Sequence, residues 1–205
     1  KSASEILQDA NDINQRVKLI NILSHDVQRI ERLITDYSQM LKDEVALSKE
    51  KIKKLDIEPV IKSVVDDFNS IYKLKRGIEI SYQNDNKNKY LVNGIENRIE
   101  QIIANLLDNA VSFSEDNKEI VVKVSKSKNN EVAVNILDEG EGFREKDMNK
   151  IFNRFYSNRP EKFGQHSGLG LNIVKNLVDL HNATIKASNR LGQKGASIEI
   201  IFPKL

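Results

Sequence analysis

The glycines of this chain are spread so unevenly that its two halves cannot share one architecture. None of the nine lies before Gly77, and seven fall between Gly140 and Gly195. Glycine inside a helix costs about 1 kcal/mol relative to alanine, so a long glycine-free start suits uninterrupted helix. Clustered glycine suits tight turns and close approach of backbone to a ligand. From Asn11 to Lys51 proline is absent too. Over that span Ile20, Leu23, Val27, Ile30, Ile34, Tyr37 and Leu41 recur alternately three and four apart, the a/d seam of a helix. Leu19, Leu33, Met40 and Leu47 widen the stripe, as in a bundle. Residues 2–8 read as the stub of a preceding helix and 9–12 as the turn, with Asn11 or Asp12 as N-cap. One helix and a stub cannot bury that stripe, so a second copy of the chain is expected against it. Packing of the helix on its own globular part is the competing arrangement. Because Lys1 opens directly into a helical pattern, the sequence is expected to be a piece of a longer protein.

After Leu55 the pattern changes. A turn at 56–59 leads into an amphipathic helix at 61–72, an alternating strand at 78–82, a short strand at 90–92 and a strongly apolar helix at 95–111. Strands at 119–124 and 131–137 form a hairpin, and 138–167 is rich in loop signals. A helix at 169–181 precedes strands at 184–187 and 197–202, which flank a turn at Gly192–Gly195. Helices and mostly antiparallel strands in blocks predict an α+β fold, a two-layer α/β sandwich with one sheet backed by one helical layer. The long helix precedes it, giving expected domains at 1–53 and 54–205. With 39% hydrophobic and 30% charged residues the chain can bury a core. Lys and Arg total 32 against 30 Asp and Glu, which argues against a nucleic-acid partner. The absence of cysteine excludes disulfides, thiolate metal sites and a thiol nucleophile. No run reaches the roughly 18 apolar residues of a membrane span, so membrane attachment is expected only through segments absent from this chain.

Three clusters carry chemistry. In Gln101-Ile-Ile-Ala-Asn105-Leu-Leu-Asp108-Asn109-Ala110, Asn105 and Asn109 share one helix face, while Ile102, Ile103, Leu106 and Leu107 bury the other. Amide oxygens so placed can complete the oxygen shell of Mg²⁺; solvated or capping asparagines read the same way. In Ile136-Leu137-Asp138-Glu139-Gly140-Glu141-Gly142-Phe143 a carboxylate ends a strand and two glycines follow. Such a carboxylate can accept a hydrogen bond from an exocyclic amine, and an acidic turn is the alternative. Gly164-Gln-His-Ser-Gly168-Leu169-Gly170-Leu171 runs into a helix whose first amides make an anion site, unless the segment is only a connector.

In this order and spacing, with Ile151-Phe152-Asn153-Arg154-Phe155-Tyr156 between the last two, the clusters resemble the ATP-binding domain of sensor histidine kinases. That domain belongs to the wider GHKL, or Bergerat-fold, family that includes gyrase, MutL and a heat-shock chaperone. The resemblance covers 55–205 and extends through 11–51, which is similar to the second helix of a dimerisation and phosphotransfer hairpin. The runs Phe155-Tyr-Ser-Asn-Arg-Pro and His25-Asp-Val-Gln-Arg-Ile-Glu-Arg-Leu-Ile are most similar to membrane-anchored sensor kinases of the ChvG type. The resemblance implies ATP and Mg²⁺ as ligands. Asn109 and Asn105 would hold the metal, with Asn105 near the γ-phosphate. Asp138 would take the adenine amino group, Gly140 and Gly142 would make room for the base, and Phe113 would line its pocket. Residues 144–167 would be a lid anchored by Phe152 and Phe155, the latter also counted in the ATP site. Gly168, Leu169 and Gly170 would meet the phosphates. Many of these kinases carry Lys or Arg three residues after the second Asn; here that position is Ser112. A lid cation, Arg154, Arg159 or Lys162, would replace it, and Arg154 and Arg159 are the catalytic candidates alongside Asn105.

Hydrolases of the wider family resemble this sequence but carry Glu in place of Asn105. An amide cannot take a proton at neutral pH, so transfer to a protein side chain is favoured over hydrolysis. The resemblance therefore implies the ATP-binding catalytic part of a sensor histidine kinase, the cytoplasmic portion of an inner-membrane sensor. It would be a homodimer through the N-terminal helices and pass the γ-phosphoryl group, by way of a histidine, to the aspartate of a response-regulator receiver domain. A dimeric non-catalytic module is the second reading, opposed by the intact Asn105, Asn109, Asp138 and paired glycines. A related ATPase or serine kinase is the third, opposed by Asn105 and the heptads. Of three histidines, His25 comes nearest the family's acceptor motif, yet the proline expected five residues on is Ile30. Only 34 residues separate His25 from Pro59, one long helix without a turn. His25 is thus expected on the surface of the second helix and the acceptor upstream of Lys1. His166 falls in the lid, and His181 ends a helix, where a cation suits the dipole.

Overall fold

A computed structural model describes residues 13–47, 51–85, 89–127, 129–156 and 168–205. Helix α1, Ile13–Leu47, is continuous over 35 residues, as the heptads require. Its seam residues Ile20, Val27, Ile30, Ile34 and Tyr37 are exposed in the single chain. The expected stub and turn at 1–12 lie outside the described residues.

The remainder is a two-layer sandwich. Strands β1 (Lys53–Asp56), β2 (Glu79–Asn84), β3 (Leu91–Gly94), β4 (Glu119–Lys126), β5 (Val132–Leu137), β6 (Thr184–Asn189) and β7 (Ala196–Phe202) form two sheets. The larger has the order β2-β4-β5-β7-β6, and β1 pairs with β3 in a separate antiparallel ribbon. Helices α2 (Ile57–Arg76), α3 (Glu96–Phe113) and α4 (Gly170–Leu180) make the second layer, with α3 between its neighbours. Strand alternation supplies the sheet's half of the core: Ile120, Val122 and Val124 from β4, Val132, Val134 and Ile136 from β5, Ile198, Ile200 and Phe202 from β7. Ile99, Ile102, Ile103, Leu106 and Leu107 of α3 meet them, all at most 1% exposed. Truncating any one of these to alanine costs about 2–5 kcal/mol.

The mostly antiparallel pairing expected from the sequence is present, with β2 alone running parallel to its neighbour β4 and α3 in the crossover. One expectation needs correction. The helix expected at 61–72 spans Ile57–Arg76. Asp56 caps it by accepting from the Glu58 N–H, and Pro59 sits in the first turn, where its missing donor costs nothing. Its last turn is basic and carries the 90% exposed Leu74, so apolar periodicity stops before the helix does. Gly77, at φ 64°, ends it. Strand β1 was not legible, since Lys53 and Lys54 have no apolar alternation and pair only through β3.

His181, which its place at a helix end leaves either structural or solvated, is structural. It is 2% exposed. Nε2 accepts from the Ile95 N–H at 3.1 Å, which places the ring proton on Nδ1, 2.6 Å from the Leu177 carbonyl. Burial lowers its pKa, so the unfolded chain takes up the proton first as the pH falls. The stability it contributes is therefore complete above about pH 6.5 and declines below. Thermal unfolding between about pH 7 and pH 5 should show a falling midpoint, and His181→Gln should flatten that dependence.

Candidate nucleotide site

Asp138 directly follows β5, and its main chain continues the ladder for one residue, its N–H donating to the Ala196 carbonyl at 3.1 Å. Its side chain turns back, so that Oδ1 accepts from Gly140 N at 2.9 Å and Ala196 N at 3.0 Å. Among the described residues Oδ2 has no partner. The residue is 8% exposed. Burial pushes its pKa above the ordinary aspartate value, while the two amide bonds and Arg190 pull the other way. The result is a desolvated carboxylate with one oxygen fixed and one available to an N–H donor.

Gly140 lies against the end of α3: a Cβ there would stand 2.5 Å from the Phe113 carbonyl oxygen. Gly142, at φ 78°, has no room either, with Asn189 Oδ1 at 2.7 Å from such an atom. Gly140 thus brings the Asp138 loop against the last turn of α3, the helix that carries Asn105 and Asn109, and Gly142 brings it against the β6–β7 hairpin. Both asparagines are half-buried on that helix, opposite its buried apolar face.

Against the same face stands the start of α4. Gly170 is its first residue, and no side chain caps it. A Cβ on Gly170 would lie 3.9 Å from both Asn105 Oδ1 and Asn109 Nδ2. Orphan amides and positive dipole end therefore face two side-chain amides across a gap that only a hydrogen atom keeps open. Gly168, at φ 69°, presses on the backbone of Phe155 and Tyr156, where a Cβ would meet atoms at 2.8 Å. Leu169, between the two glycines, is fully buried.

The lid candidates divide. Phe152 is buried in a short 3-10 helix, Met148–Phe152, and its carbonyl accepts from Asn172 Nδ2 at 2.9 Å. Phe155 does not anchor. It is 59% exposed at φ 63°, with Gly168 packed on its backbone instead. Arg154 is exposed beyond the 3-10 helix, and Phe113 ends α3 half-buried. Arg159, Lys162, Gly164 and His166 lie outside the described residues. Ser112 is buried, and its hydroxyl donates to the Asp108 carbonyl at 2.6 Å, so it offers nothing to a phosphate. Sequence reasoning missed Asn189, Arg190 and Gly195, which brace the Asp138 loop; only the two turn glycines signalled that hairpin.

The donor set fits Mg²⁺: amide oxygens on one helix face and, among the described residues, neither thiolate nor imidazole beside them. Among the described residues no three His, Asp or Glu gather to hold a metal unaided, so the cation would depend on ligand phosphates as well.

A three-helix layer on this sheet, with a buried acceptor carboxylate by the C-terminal end of α3 and glycine amides beside the Asn105–Asn109 face of the same helix, defines a nucleotide-binding domain. Residues 94–205, more than half of the chain, match the family described as histidine kinase-, DNA gyrase B- and HSP90-like ATPase, and the chain belongs to it. Among curated proteins it is similar to the sensor protein ChvG of Rhizobium meliloti, 36% identical over 202 residues, covering 95% of this chain and 35% of that protein. The sensor protein KdpD of Clostridium acetobutylicum is 33% identical over 207 residues, covering 99% of the chain and 22% of that protein. The chain thus spans about a third or less of these relatives' length. Of solved structures, a nucleotide-free catalytic domain of the histidine kinase ThkA superposes with a TM-score of 0.65 at 25% identity, over 75% of this chain and 96% of that one. ThkA in complex with the response regulator TrrA shares the fold at a TM-score of 0.67 and 23% identity, over 100% of this chain and 58% of that one.

Two glycines should separate packing from binding. Gly140→Ala must displace the Phe113 carbonyl and should cost about 1–3 kcal/mol of stability, read by denaturant unfolding. Gly170→Ala meets only ordinary contacts and should unfold at an unchanged or higher temperature. Its methyl fills the gap before Asn105 and Asn109, so Mg-ATP affinity should fall about tenfold by calorimetry.

Proposed function

We propose that this chain is the ATP-binding catalytic part of a sensor histidine kinase, with residues 54–205 as the catalytic domain and 1–53 as part of its dimerisation hairpin. The gap at Gly170 carries the reading: it sets uncapped helix amides opposite Asn105 and Asn109, with the open oxygen of Asp138 by the C-terminal end of the same helix, α3. Asp138 accepts from the adenine amino group, and Gly140 and Gly142 let the base lie against backbone. The amides of Gly168, Leu169 and Gly170 take phosphate oxygens. Asn109 and Asn105 turn amide oxygens toward Mg²⁺, which when bound neutralises and orients the triphosphate. Arg154 or Arg159 supplies the lid cation, and Phe155, exposed at the lid's edge, borders the nucleotide.

In the transfer the bond between the γ-phosphorus and its bridging oxygen breaks, a bond to an imidazole nitrogen of the acceptor forms, and ADP departs. Asn105 positions without taking a proton, which disfavours water as the acceptor. His181 cannot be the acceptor because both ring nitrogens are engaged and buried. The departures around His25 place the acceptor upstream of Lys1. The exposed seam of α1 supports a homodimer through these helices, and the ThkA complex supports a response-regulator receiver domain as the next carrier. Among the described residues no helix is long and apolar enough to cross a membrane. The sensor relatives support a cytoplasmic portion of an inner-membrane protein, anchored elsewhere.

Incubation with labelled ATP tests this, using the chain alone and then with a separate helical hairpin carrying an acceptor histidine. Acid-labile label should appear on the hairpin only, and Asn105→Ala should slow transfer by about 100-fold while binding persists. Failure of the chain to bind Mg-ATP would sink the reading. Label on the chain itself, lost in His25→Gln, would overturn the placement of the acceptor.

A further inference from the structure

The Asp138 loop rests Gly140 on the end of α3 and pairs Glu139 with Lys118, while the hydrogen bonds described for its main chain at 138 and 143 go to the β6–β7 hairpin. Arg190 Nη1 donates to the Asp138 carbonyl at 2.9 Å, while Nη2 is tied to Gln193 Oε1 at 2.6 Å. Ala196 N donates to Asp138 Oδ1, and its carbonyl accepts from the Asp138 N–H. Five residues on, Asn189 grips Phe143 at both main-chain groups, Oδ1 accepting from its N–H at 2.6 Å and Nδ2 donating to its carbonyl at 3.0 Å. Gly195, at φ 121°, lets the hairpin close, since a Cβ there would stand 1.9 Å from the Asp138 carbonyl oxygen. The main chain is therefore clamped on both sides of the two glycines, and the carboxylate between has little freedom to tilt.

We propose that Arg190 and Asn189 are positioning residues that set how strongly Asp138 discriminates for a purine bearing a 6-amino group. They act through the main chain at 138 and 143, fixing the depth and angle at which Oδ2 meets its donor. Arg190 also places a positive charge beside a desolvated carboxylate, which favours the ionised, accepting form. The inference rests on Asp138 being the adenine acceptor.

Calorimetric titration of the 205-residue chain with Mg-ATP, and with the magnesium complex of purine riboside triphosphate, which lacks the 6-amino group, tests it. The wild-type chain should prefer ATP. Arg190→Ala should weaken ATP about tenfold and the analogue far less, so that the preference collapses. Arg190→Lys should restore part of it, and Asn189→Asp, which keeps the acceptor for Phe143 and loses the donor, should give an intermediate loss. Should Arg190→Ala fail to fold, the ratios in Arg190→Lys and Asn189→Asp carry the same test. A preference that survives in folded variants, or equal weakening toward both nucleotides, overturns the inference and leaves the function intact. Equal affinity of the wild-type chain for both nucleotides overturns the reading of Asp138 itself.

Discussion

Helix α3 has to satisfy two opposite environments along one length, and the rest of the domain is arranged around that demand. Its apolar residues Ile99, Ile102, Ile103, Leu106 and Leu107 are sealed under the sheet. One residue away along the turn, Asn105 and Asn109 must keep polar groups available to a ligand. A helix resolves this by its period alone, because residues four apart share a face. The cost is that α3 cannot shed its polar face into solvent, since α2 and α4 flank it. Whatever meets Asn105 and Asn109 must therefore be admitted by the neighbouring element, and at Gly170 that element has no side chain.

The glycines follow from this crowding. Gly140, Gly142, Gly168 and Gly195 each face backbone or side-chain atoms within 3 Å of where a Cβ would stand, whereas Gly192 faces open space. Three separate chain segments (the end of α3, the loop after β5 and the β6–β7 turn) thus converge with backbone against backbone. Side chains would hold them farther apart, and a flat base would then lose the close walls on which its dispersion contacts depend. Gly170 differs in kind: its missing side chain is not forced by packing, so the space before it is available.

What the sequence revealed was what repeats or clusters. The seam of α1, the alternation of β4, β5 and β7 and the asparagine pair are periodic, and periodicity is local information. Strand β1 and the last turn of α2 were not legible, because Lys53, Lys54 and Leu74 are set by pairing and capping partners elsewhere in the chain. The brace at Asn189 and Arg190 was hidden for the same reason. An Asn-Arg pair ahead of a glycine turn reads as solvated polar surface, and its purpose exists only once Asp138 and Phe143 come within reach. At His181 the sequence left two readings open. A histidine at a helix end suggests a charge on the dipole, but the fold needed a neutral acceptor for the Ile95 N–H, and burial chose that form.

The near-neutral charge of the chain bears on how a polyphosphate could be held at all. With 32 basic and 30 acidic residues there is no general positive field, so attraction must be local. Helix-end amides supply partial charges that neither titrate nor swing away, and they act over about one turn. Under the proposed function, a divalent cation arriving with the phosphates would supply the larger charge. Such a site would bind a metal-complexed triphosphate better than bare anions, because part of the counter-charge would come with the ligand. It also avoids a permanent basic cluster, which would draw nucleic acid and other polyanions to a surface meant for one nucleotide.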